Sequence, residues 1–239
     1  MNDQLESVHD PALAPVASHE DYWFLTNTPP LPHMRLLHSV GAPSLENFYV
    51  AGEAGAHSVA RHIPRGGTVL DMGCGPGRTA RFLLLRDDIR YVGFDIFKPG
   101  IDWANRFLAP YGNGRFRFEH FDAYSAHYNP RGTMRATDVR FPAADASTDV
   151  AFAMSLFTHL LEEDARHYLR ESARVLKPSG LLIPSIHVEP APGQKFSGRE
   201  DRIDIDKDYF IGMAREAGFA LREDMGTVCS QEILVFAKG

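Results

Sequence analysis

Two acids and a run of glycines carry most of the chemistry open to this sequence. In Val69-Leu70-Asp71-Met72-Gly73-Cys74-Gly75-Pro76-Gly77-Arg78 a short apolar stretch ends on an acid, and three alternate glycines follow. Glycine takes positive φ without penalty and lets a ligand approach the main chain where a Cβ would stand in the way. A helix-forming segment, Thr79 to Arg86, comes directly after, so unpaired N–H groups and the positive end of a helix dipole face the same point. An acid at that strand end repels phosphate and suits an ammonium group. The pattern therefore reads as a site for a ligand with an amino-acid end. A second acid, Asp95, closes Tyr91-Val92-Gly93-Phe94-Asp95, at the spacing where a carboxylate accepts from ribose hydroxyls.

Other nucleotide motifs fit less well. The dinucleotide fingerprint G-x-G-x-x-G fails because Arg78 stands at its third glycine, and no Gly-Lys-Ser/Thr follows as in a P-loop. No tyrosine is followed four residues later by lysine, which weighs against a short-chain oxidoreductase. Asp95 alone would serve NAD equally well.

The stretch VLDMGCGPGRTARFL resembles the first motif of the class I S-adenosylmethionine-dependent methyltransferases. The resemblance extends over about Val59 to Lys238 and implies S-adenosylmethionine as cofactor and S-adenosylhomocysteine as product. It places the methionine ammonium on Asp71 and the ligand against the backbone of Gly73, Cys74 and Gly75. Asp95 then takes the ribose, Ile96 packs on the adenine, Asp122 accepts from the adenine amino group and the backbone of Ala123 faces the ring. Met154 and Ser155, after the fourth strand, complete the cofactor site. The Asn/Asp-Pro-Pro-Tyr sequence of many base-amino methyltransferases is absent there. Ser155 to Leu160, with Arg174-Val175-Leu176-Lys177-Pro178-Ser179-Gly180, looks instead like small-molecule methyltransferases, although Ser179 stands where that family usually has glycine. The run from Pro29 to Gly52 loosely resembles enzymes that tailor sugars and secondary metabolites.

Methyl transfer is an in-line displacement, so the protein's work is alignment and, for a hydroxyl acceptor, removal of a proton. His159 is placed for that base role, having an ordinary pKa suited to neutral pH. Packing on the cofactor or capping the next helix is an equal alternative for it. His187, ending the fifth strand, is the second candidate base. No His, Asp and Glu set has metal spacing, so no metal is expected. The leading function is transfer of a methyl group to a small-molecule acceptor, most naturally at a hydroxyl oxygen. The alternatives are an NAD(P)-dependent oxidoreductase and a non-catalytic partner protein that binds S-adenosylmethionine.

The elements that must position these residues alternate along the chain. Strands are expected at Thr68 to Asp71, Tyr91 to Asp95, Phe116 to Asp122, Asp149 to Met154 and Gly180 to His187. Helices are expected at Thr79 to Arg86, Pro99 to Leu108, Glu162 to Leu176 and Lys207 to Ala217. Phe219 to Met225 and Glu232 to Ala237 make a closing pair turned at Gly226. Such alternation gives an α/β, Rossmann-like, doubly wound, mostly parallel sheet, and the closing pair resembles the terminal antiparallel hairpin that completes the seven-stranded methyltransferase sheet. Before it, Ser44 to Ile63 reads as a helix broken by Gly52 and Gly55, and the methyltransferase resemblance implies that such N-terminal helices lid the cofactor site. The expected organisation is a poorly ordered tail over 1–20, an arm and lid helices over 21–63, and the catalytic domain over 64–239. Tyr22-Trp23-Phe24 is an aromatic cluster, either a staple of the arm or a wall of the pocket. Ala123 to Arg140 and Glu189 to Asp206 exceed ordinary loop length and are expected as lids.

With 239 residues and 44% hydrophobic content, the chain suits one globular α/β domain with modest insertions. Its net charge of −6 gives no basic stripe for nucleic acid. No apolar run approaches the ~18 residues of a spanning helix, and the N-terminus lacks the features of an export signal. Cys74 and Cys229 form no metal or disulfide framework. A cytoplasmic protein, with no nucleic-acid or membrane partner and open to homo-oligomerisation, is the expectation.

Overall fold

Successive residues of a strand face opposite sides of a sheet, and the central strands here are apolar on both. The computed structural model describes residues 29–239 and the strand Pro15–Val16. Apart from Pro15–Val16, which pairs antiparallel with Leu31–Pro32, the expected tail and the Tyr22-Trp23-Phe24 cluster lie outside the described residues. Five strands, β1 Thr68–Met72, β2 Arg90–Asp95, β3 Phe116–His120, β4 Thr148–Ala153 and β5 Leu176–Ile186, run parallel in the order β3-β2-β1-β4-β5. Leu70, Met72, Phe94 and Ala151 point into one core layer; Val69, Tyr91, Val150 and Phe152 point into the other.

Helices cover both layers. Two of them, α5 (Glu162–Val175) and α6 (Lys207–Glu216), bury Tyr168, Leu169, Phe210 and Met213 on the first. On the second lie α2 (Leu45–Ala60) and α4 (Lys98–Phe107), with Val59, Ile101 and Trp103 inward. Pro99 sits in the first turn of α4, where its missing N–H costs nothing. A short α1 (Met34–His38) precedes α2, and α3 (Ala80–Leu83) follows the glycine loop. Two antiparallel strands, β8 (Phe219–Val228) and β9 (Gln231–Lys238), complete the seven-stranded sheet on the β5 side. No helix among the described residues is long and apolar enough to cross a membrane.

Four details differ from the expectations. The closing hairpin turns at Cys229-Ser230, both at positive φ, whereas Gly226 lies within β8 beside a register shift. Glu189 to Asp206 is not structureless: it folds into the hairpin β6 (Phe196–Arg199) and β7 (Arg202–Ile205). Regular helix after the glycine loop is confined to Ala80–Leu83, because the flanking turns close with three-residue spacing, as in Phe82 N–H to Thr79 O and Arg86 N–H to Leu83 O.

The fourth concerns α2, capped by Ser44 Oγ accepting from Asn47 N–H at 3.0 Å, which runs unbroken through Gly52 and Gly55. These glycines form its contact face rather than a break. A Cβ on Gly52 would stand 2.4 Å from the carbonyl oxygen of Arg78 and 2.9 Å from the Phe82 ring. Gly52→Ala is therefore expected to destabilise by about 1–3 kcal/mol despite the better helix propensity of alanine, visible as a lower thermal midpoint. An unchanged or raised midpoint would show that α2 can shift freely.

Candidate active site

All the chemistry-bearing strand ends meet at the carboxyl edge of the sheet, around the reversal of strand order between β1 and β4, where open α/β sheets bind ligands. Gly73, Gly75 and Gly77 take φ of +74°, +52° and +79°, so the loop turns back on itself as only glycine does without strain. Gly73 and Cys74 N–H both donate to the Phe94 carbonyl, at 2.9 and 3.1 Å, tying the loop to the end of β2.

Asp95 locks that joint. Its Oδ2 accepts from Gly75 N–H and its Oδ1 from Phe97 N–H, each at 2.7 Å. Desolvation raises its pKa, while the backbone bonds from Phe97 and Gly75 oppose the shift. The carboxylate thus serves loop geometry as well as any ligand. Asp95→Ala is expected to weaken S-adenosylhomocysteine at least tenfold, about 1.4 kcal/mol. It should also lower the stability of the unliganded protein by about 1–3 kcal/mol, because two N–H groups lose their acceptor. Titration calorimetry and thermal unfolding read the two effects separately; unchanged affinity would remove Asp95 from the ligand site.

Asp71 lies 2% exposed at the end of β1, and its Oδ2 accepts from the Tyr91 hydroxyl at 2.5 Å. Burial pushes its pKa up to about 8, against the lowering effect of the Tyr91 bond and with a further rise from the nearby Asp95 charge. An acid so placed gains strongly from a ligand cation. Cys74, buried beside it, is held as the thiol by burial and by the charge of Asp71, which suits packing and not nucleophilic attack.

Two adjoining cavities open from this edge. The first is lined by Asp71, Gly73, Cys74, Gly75, Asp95, Ile96, Ala123, Met154, Ser155 and His159, together among the residues singled out in the sequence. Asp122 is not among them. It is exposed, two residues beyond the end of β3, and its carboxylate accepts from Asn129 Nδ2, Thr133 N–H and Thr133 Oγ1. His187 lines the second cavity instead, with Nδ1 bonded to the Ser230 carbonyl at 3.2 Å. Burial lowers the His187 pKa. Among the described residues no group of three or more His, Cys, Asp or Glu could hold a metal ion.

His159 lies where the two cavities join and lines both. Its Nδ1 is 2.8 Å from the carbonyl oxygen of Glu200, which can only accept, so Nδ1 carries the proton. In the neutral ring Nε2 is then the free acceptor, and the Tyr128 hydroxyl donates to it at 3.2 Å. Burial lowers the His159 pKa, and burial pushes that of Tyr128 up to about 12. At neutral pH the pair is therefore an unprotonated imidazole beside an intact phenol.

Both long loops close over this pair. Tyr128 comes from the loop after β3, Glu200 from the turn of the β6–β7 hairpin, and Ser125 Oγ of the first donates to the Glu200 carboxylate of the second. The hairpin is anchored below by Ile203 N–H to Thr158 O and Ile205 N–H to His187 O, both 2.8 Å. Sequence reasoning saw two lids but not Glu200; only the alternation in Phe196-Ser197-Gly198-Arg199 and Arg202-Ile203-Asp204-Ile205 hinted at the hairpin that carries it. It also passed over Arg78 as a missing glycine, although that side chain lines both cavities. Ser155 holds φ of +65°, a conformation uncommon outside glycine, fixed by its N–H bond to Ser185 Oγ at 2.7 Å.

Residues 70–183 match the family described as methyltransferase domain. The chain is 31% identical over 128 residues to the 27-O-demethylrifamycin SV methyltransferase of Amycolatopsis mediterranei, covering 50% of this chain and 41% of the relative. It is 30% identical over 115 residues to an O-methyltransferase of Pyrenophora dematioidea, covering 48% and 37%. The chain thus spans about two fifths of the length of these curated relatives. In fold it is similar to the Burkholderia thailandensis 1,6-didemethyltoxoflavin-N1-methyltransferase, solved with 1,6-didemethyltoxoflavin and S-adenosylhomocysteine bound. The TM-score is 0.63 at 18% identity, over 94% of this chain and 92% of that one. The glycine loop, the two strand-end acids and the seven-stranded sheet all lie in or beside the segment that matches a methyltransferase domain, residues 70–183.

Proposed function

We propose that this protein transfers the methyl group of S-adenosylmethionine to a hydroxyl of a small molecule, with His159 as the base. The residues of the first cavity fit the cofactor: Asp71 is a buried acid with no ion pair among the described residues, and Asp95 offers the lone pairs left over from its two backbone bonds. When bound there, the sulfonium cofactor supplies an activated methyl group. Asp71 would hold the ammonium, Asp95 the ribose, and Ile96 and Ala123 the adenine region. The second cavity, entered past Met154, Ser155 and His159, would receive the acceptor.

One observation carries the hydroxyl reading. Amine acceptors need little beyond alignment, whereas a hydroxyl needs a group to take its proton. His159 supplies one, its tautomer set by the Glu200 carbonyl and its Nε2 turned to a hydroxyl, that of Tyr128. An acceptor hydroxyl replacing Tyr128 at Nε2 would lose its proton to the imidazole as the methyl group is transferred. Relatives named as O-methyltransferases support the same reading.

The test is a panel of matched phenols, sugars, amines and thiols incubated with S-adenosylmethionine, with the product followed by mass. Hydroxyl acceptors gaining one methyl at oxygen is the expected outcome; transfer confined to nitrogen, sulfur or carbon would overturn it.

A further inference from the structure

A methionine tail carries an ammonium and a carboxylate on one carbon, so a site that binds it by Asp71 has an anion to accommodate within a few ångströms. The other ionisable groups of the first cavity offer an anion no cationic partner, since Asp71, Asp95, Asp164 and Glu200, all carboxyl groups, line it. Arg78 is the single Lys or Arg in that lining. Its guanidinium is also unlike the other sheltered arginines of the protein. Arg81 donates to the Pro29 and Pro30 carbonyls, Arg115 to those of Arg86 and Ile89, and Arg174 to Glu171 and Asp145. Among the described residues Arg78 makes no side-chain hydrogen bond or ion pair; the titratable groups beside it are Asp71, Cys229 and Tyr128. A sheltered guanidinium with its donors unused is costly unless a ligand supplies the acceptor.

Resting on the cofactor reading above, we infer that Arg78 binds the methionine carboxylate of S-adenosylmethionine, so that Asp71 and Arg78 together recognise the zwitterion. Arg78 lies in the turn between the glycine loop and α3, and its backbone carbonyl packs against α2 at Gly52. It is a binding and positioning residue. By fixing the tail at its far end it sets how far the reacting methyl group extends toward His159. The same side chain reaches the second cavity, so an acceptor anion is the competing occupant and becomes an outcome of the test.

The experiment compares two ligands on the whole protein by titration calorimetry. One is S-adenosylhomocysteine. The other is its decarboxylated analogue, which keeps the adenosine, the thioether and the ammonium. Wild type is expected to prefer S-adenosylhomocysteine. Arg78→Gln should weaken S-adenosylhomocysteine at least about tenfold and change the analogue less than about twofold, since only the first loses a charge-assisted bond. Arg78→Lys, which keeps a cation without the fork, should fall between. Retained analogue binding also certifies that the glutamine variant is folded. Equal losses for both ligands would make Arg78 a structural residue and overturn the inference. Unchanged S-adenosylhomocysteine affinity would overturn it too, and would leave the guanidinium to the acceptor. Wild type that binds neither ligand would overturn the cofactor reading itself, and this inference with it.

Discussion

His159→Gln is expected to lower the rate of methyl transfer to a hydroxyl acceptor by roughly 10²–10⁴-fold while leaving S-adenosylhomocysteine affinity within a factor of about two. The basis is the division of labour proposed for the junction of the cavities: His159 would meet the acceptor, and its hydrogen bonds run to Glu200 and Tyr128 rather than to the glycine loop. The pH profile separates a base from a packing residue. Because burial holds the His159 pKa below its ordinary value, the wild-type rate should rise with pH through that lowered value and then stay level to neutrality. The variant should lose that limb and respond little to pH. Full activity in His159→Gln, or an unchanged acid limb, would leave His159 as packing against the cofactor.

Asp71→Asn is expected to act in opposite directions on stability and binding. The native pKa of about 8 lies far above the ordinary 3.8 of an unfolded aspartate. Between pH 4 and 8, values set by those two pKa figures, the native state therefore holds a proton that the unfolded chain has released. Stability falls as pH rises through that window and levels off above it. Asparagine keeps an acceptor for the Tyr91 hydroxyl and has no such titration. The variant's thermal midpoint should change less with pH and exceed the wild-type midpoint at pH 8. Its affinity for S-adenosylhomocysteine should fall about ten- to hundredfold, as a charge-assisted partner of the ammonium is lost. That combination marks a residue kept for function at the expense of stability. A less stable variant, or one binding normally, would contradict the assignment.

The sheet and the cofactor loop were legible because their causes are local. Val69-Leu70, Tyr91 to Phe94 and Val150 to Ala153 are apolar on both faces, which a covered parallel strand demands, and three alternate glycines announce positive φ. The lids were legible as length only. The β6–β7 strands have four residues each, too short for a period to stand out, and their footing is on Thr158 and His187, distant in sequence. Asp122 illustrates the limit of strand-end logic. The strand stops at His120, and the chain turns so that Asn129 and Thr133 take the carboxylate that a longer strand would have left free. The turn at Cys229-Ser230 defied the glycine rule outright, since Gly226 was at hand nearby. Arg78 required the cavity to be seen, because a lone arginine after a glycine loop has no pattern to betray it.

The central claim is that the β1–β2 edge is built for a ligand with a cationic amino-acid end. The most direct measurement is calorimetric titration of the protein with S-adenosylhomocysteine at pH 7 in two buffers of different ionisation heat, with NAD as control. Asp71 is protonated in the empty site and must be charged to hold the ammonium, so saturable one-to-one binding with release of a proton is expected, and no binding of NAD. Binding without proton release would contradict the role given to Asp71. Binding of NAD in place of S-adenosylhomocysteine would contradict the site.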